Sequence, residues 1–174
     1  MPAAEPPLVS TTQVVTASVR LEDELPGRVA AVRSAEIRPQ VGGIVQRRLF
    51  EQGAEVREGQ ALFQINPAPF KAEVDSSDAA LKRAMTALDR ARLQVERLAP
   101  LVEADAVSRQ LYDDAVSQRN QVAADVAQTR ATLARKQLDL AFATIRAPIS
   151  GRIGEEMVTE GALVGTTDTA PMAR

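Results

Sequence analysis

The side chains that could do chemistry in this 174-residue chain are carboxylates, lysines and a sparse pattern around Arg97, because cysteine and histidine are both absent. That removes thiolate nucleophiles, disulfides and the commonest general base and metal ligand. Among the carboxylates, Asp113-Asp114 and Glu155-Glu156 are adjacent pairs. Neighbours on a helix point about 100° apart and do not face one another, so neither pair is expected to work as an acid and base. Gly42-Gly43 lacks the context of a phosphate loop and is expected at a turn or a close backbone approach. Met85, Met157 and Met172 are too scattered for a soft-metal site. No catalytic, cofactor-binding or metal-binding residue is therefore expected. The remaining pattern is Arg97, Leu101 and Ser108, in the order R-x3-L-x6-S. Taken on spacing alone, Leu101 would cover the end of a helical seam, Ser108 would cap a helix, and Arg97 would pair with Glu96 or Asp105.

These residues sit in a helix-patterned insertion between two similar segments. Slid against itself by 108 positions, the chain lays Gly43 on Gly151, Ile37 on Ile145, Arg38 on Arg146, Val41 on Ile149 and Val45 on Ile153. Gly53, Ala54 and Val56 fall in the same way on Gly161, Ala162 and Val164. Short β-branched runs punctuated by glycine predict a small β domain in two halves. The halves break at QINPAP (64–69) and TIRAPI (144–149). Asn66-Pro67 is a helix start, with an acceptor for the first free N–H groups and a proline that loses nothing there. Val74, Leu81, Leu88, Val95 and Val102 then recur every seventh residue, with Ser77, Ala84, Ala91 and Leu98 completing a coiled-coil seam. Pro100 predicts a kink or an early end near Ala99, with 103–106 as the connection. Ser108 is expected to cap a return helix from 109 to about 142, with Asp113 and Asp114 near its positive end. Its stripe is Ala115, Val122, Val126, Thr129, Leu133 and Leu140. A short link makes the helices antiparallel, each about 50 Å long at ~1.5 Å per residue. Ala147-Pro148 ends the helical insertion.

Residues 1–7 read as a flexible leader, and 14–32 either as a strand, a turn and a second strand or as an ordered linker. The opening MPAAEPPLVS shows no signal peptide. No run is long and apolar enough to span a bilayer as a helix. A formal charge of −2 gives no basic excess for nucleic acid, and aromatics at 3% point to thin aliphatic seams rather than one large core.

Two β halves also resemble the lipoyl and biotinyl carrier fold, whose modified lysine sits on a hairpin between the halves. Lys71, Lys82 and Lys136 are the lysines of this chain. All lie in the helical insertion, outside any DKA or MKM context, which disfavours a carrier.

RPQVGGIVQRRLFEQGAEVREGQALFQINPAPF, VERLAPLVEADAVSRQLYDDAV and APISGRIGEEMVTEGALVGTTDTAPMA together resemble the periplasmic adaptors, or membrane fusion proteins, of RND multidrug efflux pumps, closest to the hydrophobic-drug branch. The resemblance implies an α+β chain: a lipoyl-like β domain of two half-motifs split by a long antiparallel coiled-coil hairpin. It divides the chain into 1–33 (leader and strand of a β-barrel domain), 34–66 (lipoyl-like half 1), 67–143 (hairpin) and 144–174 (lipoyl-like half 2, truncated). It implies a non-catalytic, cofactor-free link between an inner-membrane RND drug/proton antiporter and a TolC-type outer-membrane channel. Adaptors of this kind form a homo-oligomeric ring in the periplasm, held to the inner membrane by an N-terminal lipid anchor that this stretch lacks. Arg97, Leu101 and Ser108 map onto the family's channel-binding motif at the hairpin tip. An adaptor of an ABC-type or type I secretion exporter is the alternative within transport, and a lipoyl or biotin carrier domain the alternative outside it.

Overall fold

The computed structural model describes residues 3–155, 157–168 and 170–174, and the chain divides into two units, Met1–Val32 and Arg33–Arg174. In the first unit the described residues are exposed and form no helix or strand, so the strand-turn-strand expected over 14–32 is not formed. A strand needs partners for its N–H and C=O groups. The described residues of this unit supply none, and Val14, Val19 and Leu21 stay in solvent.

The described residues of the second unit form six strands and two helices. The strands are β1 (Gly43–Arg48), β2 (Glu55–Val56), β3 (Ala61–Ile65), β4 (Thr144–Arg146), β5 (Gly151–Arg152) and β6 (Leu163–Val164). Between β3 and β4 rise α1 (Ala68–Glu103) and α2 (Arg109–Phe142). All pairings are antiparallel, in a sheet ordered β4-β3-β1-β6 and a two-stranded ribbon of β2 and β5. The 108-residue repeat is visible in the hydrogen bonds. Gly53 N–H donates to Ile153 C=O at 3.1 Å, and its counterpart Gly161 N–H donates to Val45 C=O at 2.8 Å. Ile153 N–H donates to Ala54 C=O at 3.0 Å, and Val45 N–H to Ala162 C=O at 2.9 Å. Each half thus lends the strand that follows its turn glycine to the equivalent earlier strand of the other, β2 to β5 and β6 to β1. The turn glycines match too, with φ of 77° at Gly53 and 86° at Gly161, a region glycine enters without steric cost.

Equivalent side chains fill one core. Ile37, Val45 and Val56 are buried together with Ile145, Ile153 and Val164, around fully enclosed Leu62, Phe63 and Ile65. Phe50 and Phe63 meet edge to face with ring centres 5.1 Å apart. Residues near the C-terminus join this core: Met172 and Ala173 are buried, Ile37 N–H donates to Ala173 C=O at 2.9 Å, and Met172 N–H to Ile37 C=O at 2.7 Å. Gly42 and Gly43 mark a close approach rather than a turn. An ideal Cβ on Gly43 would lie 2.6 Å from Ile65 Cγ2, and one on Gly42 would lie 3.3 Å from Val164 O.

The hairpin roots are tied to the sheet. Asn66 Oδ1 accepts from Ala68 N–H at 3.1 Å, which satisfies an early donor of α1 as expected although Pro67 is the boundary residue. Thr144 Oγ1 donates to Gln64 Oε1 at 3.1 Å, while Gln64 Nε2 donates to Ala143 C=O at 3.1 Å. One amide therefore joins the end of β3 to the start of β4. The helix ends at Phe142, ahead of Ala147, because pairing with β3 draws residues 144–146 into β4 before Pro148 is reached.

The seam forms as patterned. Leu88, Val95 and Leu98 of α1 and Val126 and Leu133 of α2 are buried, and the other seam residues are half-buried. At 36 and 34 residues the helices are about 54 and 51 Å long at ~1.5 Å per residue. Lys136 Nζ lies 2.6 Å from Glu73 Oε2 and links α2 to α1 near the roots. Pro100 does not end the helix, which runs on to Glu103. The proline lies in the last turn, where only one backbone bond is lost and few residues remain to be displaced.

Candidate functional site at the hairpin tip

The tip is built by two local motifs. At the end of α1, Asp105 N–H donates to Val102 C=O at 3.1 Å and Ala106 N–H to Leu101 C=O at 2.8 Å. With Asp105 at φ 53°, these two bonds form a Schellman motif in which aspartate holds the place usually taken by glycine. At the start of α2, Ser108 has extended backbone, and its Oγ accepts from Leu111 N–H at 3.3 Å. Ser108 therefore caps as expected. Asp113 and Asp114 fall beyond the first turn of α2, deeper than the range over which the free N–H groups favour a carboxylate.

Arg97 and Leu101 lie one turn apart on the same face of α1, both exposed, and Ser108 follows across the turn. Arg97 does not pair with Glu96 or Asp105. Its Nε donates to Leu93 C=O at 3.3 Å, and among the described residues no carboxylate reaches its guanidinium. Nor does Leu101 cover the seam, because buried Leu98 and half-buried Val102 already close it. Leu101 is left 42% exposed, with Leu93 at 52% and Leu111 at 47% close by in sequence. The tip thus offers an unpaired cation amid exposed leucines. Leu93 and Leu111 were not singled out from sequence, although their place off the heptad seam was a readable sign.

Elsewhere the candidates do not converge on a site among the described residues. Lys82 Nζ lies 2.7 Å from Asp78 Oδ2, and that hydrogen bond and charge raise its pKa above the ordinary lysine value. Lys71, Lys82 and Lys136 are all helical, and none sits on a turn between strands. Asp113 and Asp114 are exposed, as is Glu155, while its neighbour Glu156 lies outside the described residues. Met85 and Met157 are half-exposed and Met172 belongs to the core. Among the described residues no group of His, Cys, Asp or Glu is arranged to hold a metal ion, and no polar or charged side chain is buried. A cavity of about 490 Å³ lies beside the root of α2. Of the charged side chains lining it, Arg38 pairs with Glu36 at 2.9 Å and Arg146 Nη1 donates to Gly59 C=O at 2.9 Å.

Residues 33–174 match the family described as RND MFP, barrel-sandwich hybrid domain. The chain belongs to this family. It is similar to the multidrug export protein AcrE of Escherichia coli K12, with 44% identity over 167 residues, 96% of this chain and 43% of that protein. It is equally similar to the antibiotic efflux pump periplasmic linker protein ArpA of Pseudomonas putida, with 44% identity over 172 residues, 99% of this chain and 43% of the relative. The chain therefore spans less than half the length of these relatives. A solved MacA-MexA chimera carrying the Pseudomonas aeruginosa MexA α-hairpin superposes with a TM-score of 0.52 at 27% identity, over 82% of this chain and 46% of the chimera. The membership expected from the three quoted stretches is thereby shown.

Proposed function

We propose that this chain is the hairpin-bearing part of a non-catalytic periplasmic adaptor, which links an inner-membrane RND drug/proton antiporter to a TolC-type outer-membrane channel for multidrug efflux. Its work is geometric: the hairpin spans distance and its tip engages the channel through Arg97, Leu101 and Ser108. The observation that carries the reading is the unpaired Arg97 beside half-exposed Leu101 at the far end of a seam that other residues close. The names of the similar proteins, an export protein and an efflux linker, support it.

The β domain is lipoyl-like, in two halves over 34–66 and 144–174 with the hairpin over 67–143. The exchange of strands between the repeats supports that description. Residues 1–33 serve as a leader and a strand of a β-barrel domain, pairing with chain outside this stretch. The whole adaptor sits in the periplasm on an N-terminal lipid anchor and assembles as a homo-oligomeric ring.

In the full-length protein, Arg97→Glu and Leu101→Asp are each expected to abolish drug resistance while the helical circular dichroism and expression stay unchanged. Wild-type resistance in both variants would remove the tip assignment. Ser108→Ala loses a cap worth about 1 kcal/mol. Ser108→Asn keeps the cap, so a resistance defect shared by both variants identifies the hydroxyl itself as the contact.

A further inference from the structure

The cavity beside the root of α2 is lined by two stretches that are counterparts in the 108-residue repeat. Residues 36–40 contribute Ile37 and Arg38, and 144–148 contribute Ile145 and Arg146 at the equivalent positions. Both isoleucines are buried in the core, while both arginines are exposed. The volume of about 490 Å³ falls within the ~300–1,000 Å³ of sites for small molecules. Adaptor work at the hairpin tip makes no use of it.

The two arginines differ in how their charge is met. Arg38 Nε and Nη2 donate to Glu36 Oε2 at 3.3 and 2.9 Å, and its Nη1 donates to Asp168 C=O at 3.2 Å. The counterpart of Glu36 is Thr144, whose Oγ1 donates to Gln64 Oε1 instead. Arg146 therefore lacks the carboxylate that its twin has. Its Nη1 donates to Gly59 C=O at 2.9 Å, a neutral acceptor, and among the described residues no carboxylate pairs with it. A guanidinium carries five N–H donors in a fork that suits a carboxylate, so most of the fork is unspent.

The walls differ in the same direction. Where the first half has Arg33, Ser34 and Gln40, the second has Ala141, Phe142 and Pro148, and the last three all line the cavity. Ala141 and Pro148 are exposed and Phe142 is half-buried. An unmatched cation thus stands beside an apolar wall. That combination fits a ligand with one anionic end and a hydrophobic body.

We propose that this cavity binds a small amphipathic carboxylate of the fatty-acid kind, whose anionic head takes at Arg146 the place that Glu36 takes at Arg38. Its apolar body lies against Ala141, Phe142 and Pro148 and removes that surface from water. Two parallel N–H bonds from one guanidinium fix the head's orientation as well as adding affinity. The site lies at the end of the hairpin opposite the tip and does not rest on the channel-binding reading.

Calorimetric titration of the full-length protein with decanoate, kept below its micellar concentration, is expected to show a saturable site. Decanol has the tail without the charge and acetate the charge without the tail, and each is expected to bind about ten-fold or more weakly. Arg146→Gln should weaken decanoate by about ten-fold or more, and Arg146→Lys should recover most of that loss. Arg83→Gln removes an exposed cation well up α1 and should leave the affinity unchanged. Glu36 is exposed, so Glu36→Thr serves where Arg146→Gln fails to fold. It frees Arg38 and is expected to tighten decanoate several-fold. Decanol binding as tightly as decanoate, or an affinity unmoved in both Arg146→Gln and Glu36→Thr, overturns the site. So does the absence of saturable binding in the full-length protein, where chain outside this stretch would then fill the cavity. None of these outcomes bears on drug resistance in Arg97→Glu, so the two readings fail separately.

Discussion

Asp105 shows how one residue sets the tip. At φ 53° it sits where most side chains crowd the following carbonyl, a cost of about 1–2 kcal/mol that aspartate partly escapes through its short polar side chain. Asp105→Val should therefore destabilise the hairpin by roughly that amount, read as a lower urea midpoint. Asp105→Gly should not. The repeat offers a second comparison. Gly43 and Gly151 are counterparts, yet a Cβ on Gly43 would lie 2.6 Å from Ile65 Cγ2, whereas one on Gly151 would meet nothing within 4 Å. Ile65 is fully buried and β-branched, so it has little room to yield. Gly43→Ala is expected to cost about 1–3 kcal/mol by overpacking, and Gly151→Ala to leave the melting temperature within a degree or two of the wild type.

At the scale of elements, the hairpin is held by its apolar seam far more than by charge. Lys136 and Glu73 keep 34% and 51% of their side-chain surfaces exposed, so water screens their attraction to about 0–1 kcal/mol. Leu88 and Leu133 are buried in the seam, and truncating such a leucine to alanine typically costs about 2–5 kcal/mol. Chemical denaturation should accordingly rank Leu88→Ala well above Lys136→Gln. Equal effects would mean that the roots, rather than the seam, hold the helices together. Near the sheet, the Gln64 amide ties both roots by hydrogen bonds to Thr144 and Ala143. That bridge couples the direction of a lever about 50 Å long to the β base.

For the whole molecule, closure of the β base depends on segments distant in sequence. Ile37 is covered by Ala173, and Met172 is 1% exposed. Met172→Ala should thus destabilise the unit Arg33–Arg174 by about 2–5 kcal/mol, seen as a lower melting temperature in the signals of strands and helices together. The outer surface has a different task. It carries charge and exposed leucines along the helices, and at the tip an arginine whose guanidinium no described carboxylate reaches.

Much of this was written in local patterns. The period of seven placed the seam of α1, and a stripe at spacings of three, four and seven placed Val122, Val126 and Leu133 of α2, since a helix must bury one stripe whatever surrounds it. The 108-residue offset paired the turn glycines Gly53 and Gly161, and it paired Ile37 with Ile145, Val45 with Ile153 and Val56 with Val164, which meet in the core. Ser108 was legible as a cap because capping is a matter of a few adjacent residues. Where tertiary structure decided, the cause was a partner that local pattern does not name. Residues 14–32 alternate like a strand, but no described neighbour in their unit satisfies their backbone. Pro100 is tolerated because the helix is already ending. Arg97 had carboxylates nearby in sequence, yet only the packed hairpin shows that it reaches none of them and that Leu101 is not needed by the seam. Sequence by itself determined the period, the repeat and the caps, which are properties of neighbouring residues. Which polar and apolar groups were left over, and hence available to a partner, only the tertiary structure decided, because being unpaired depends on every other part of the fold.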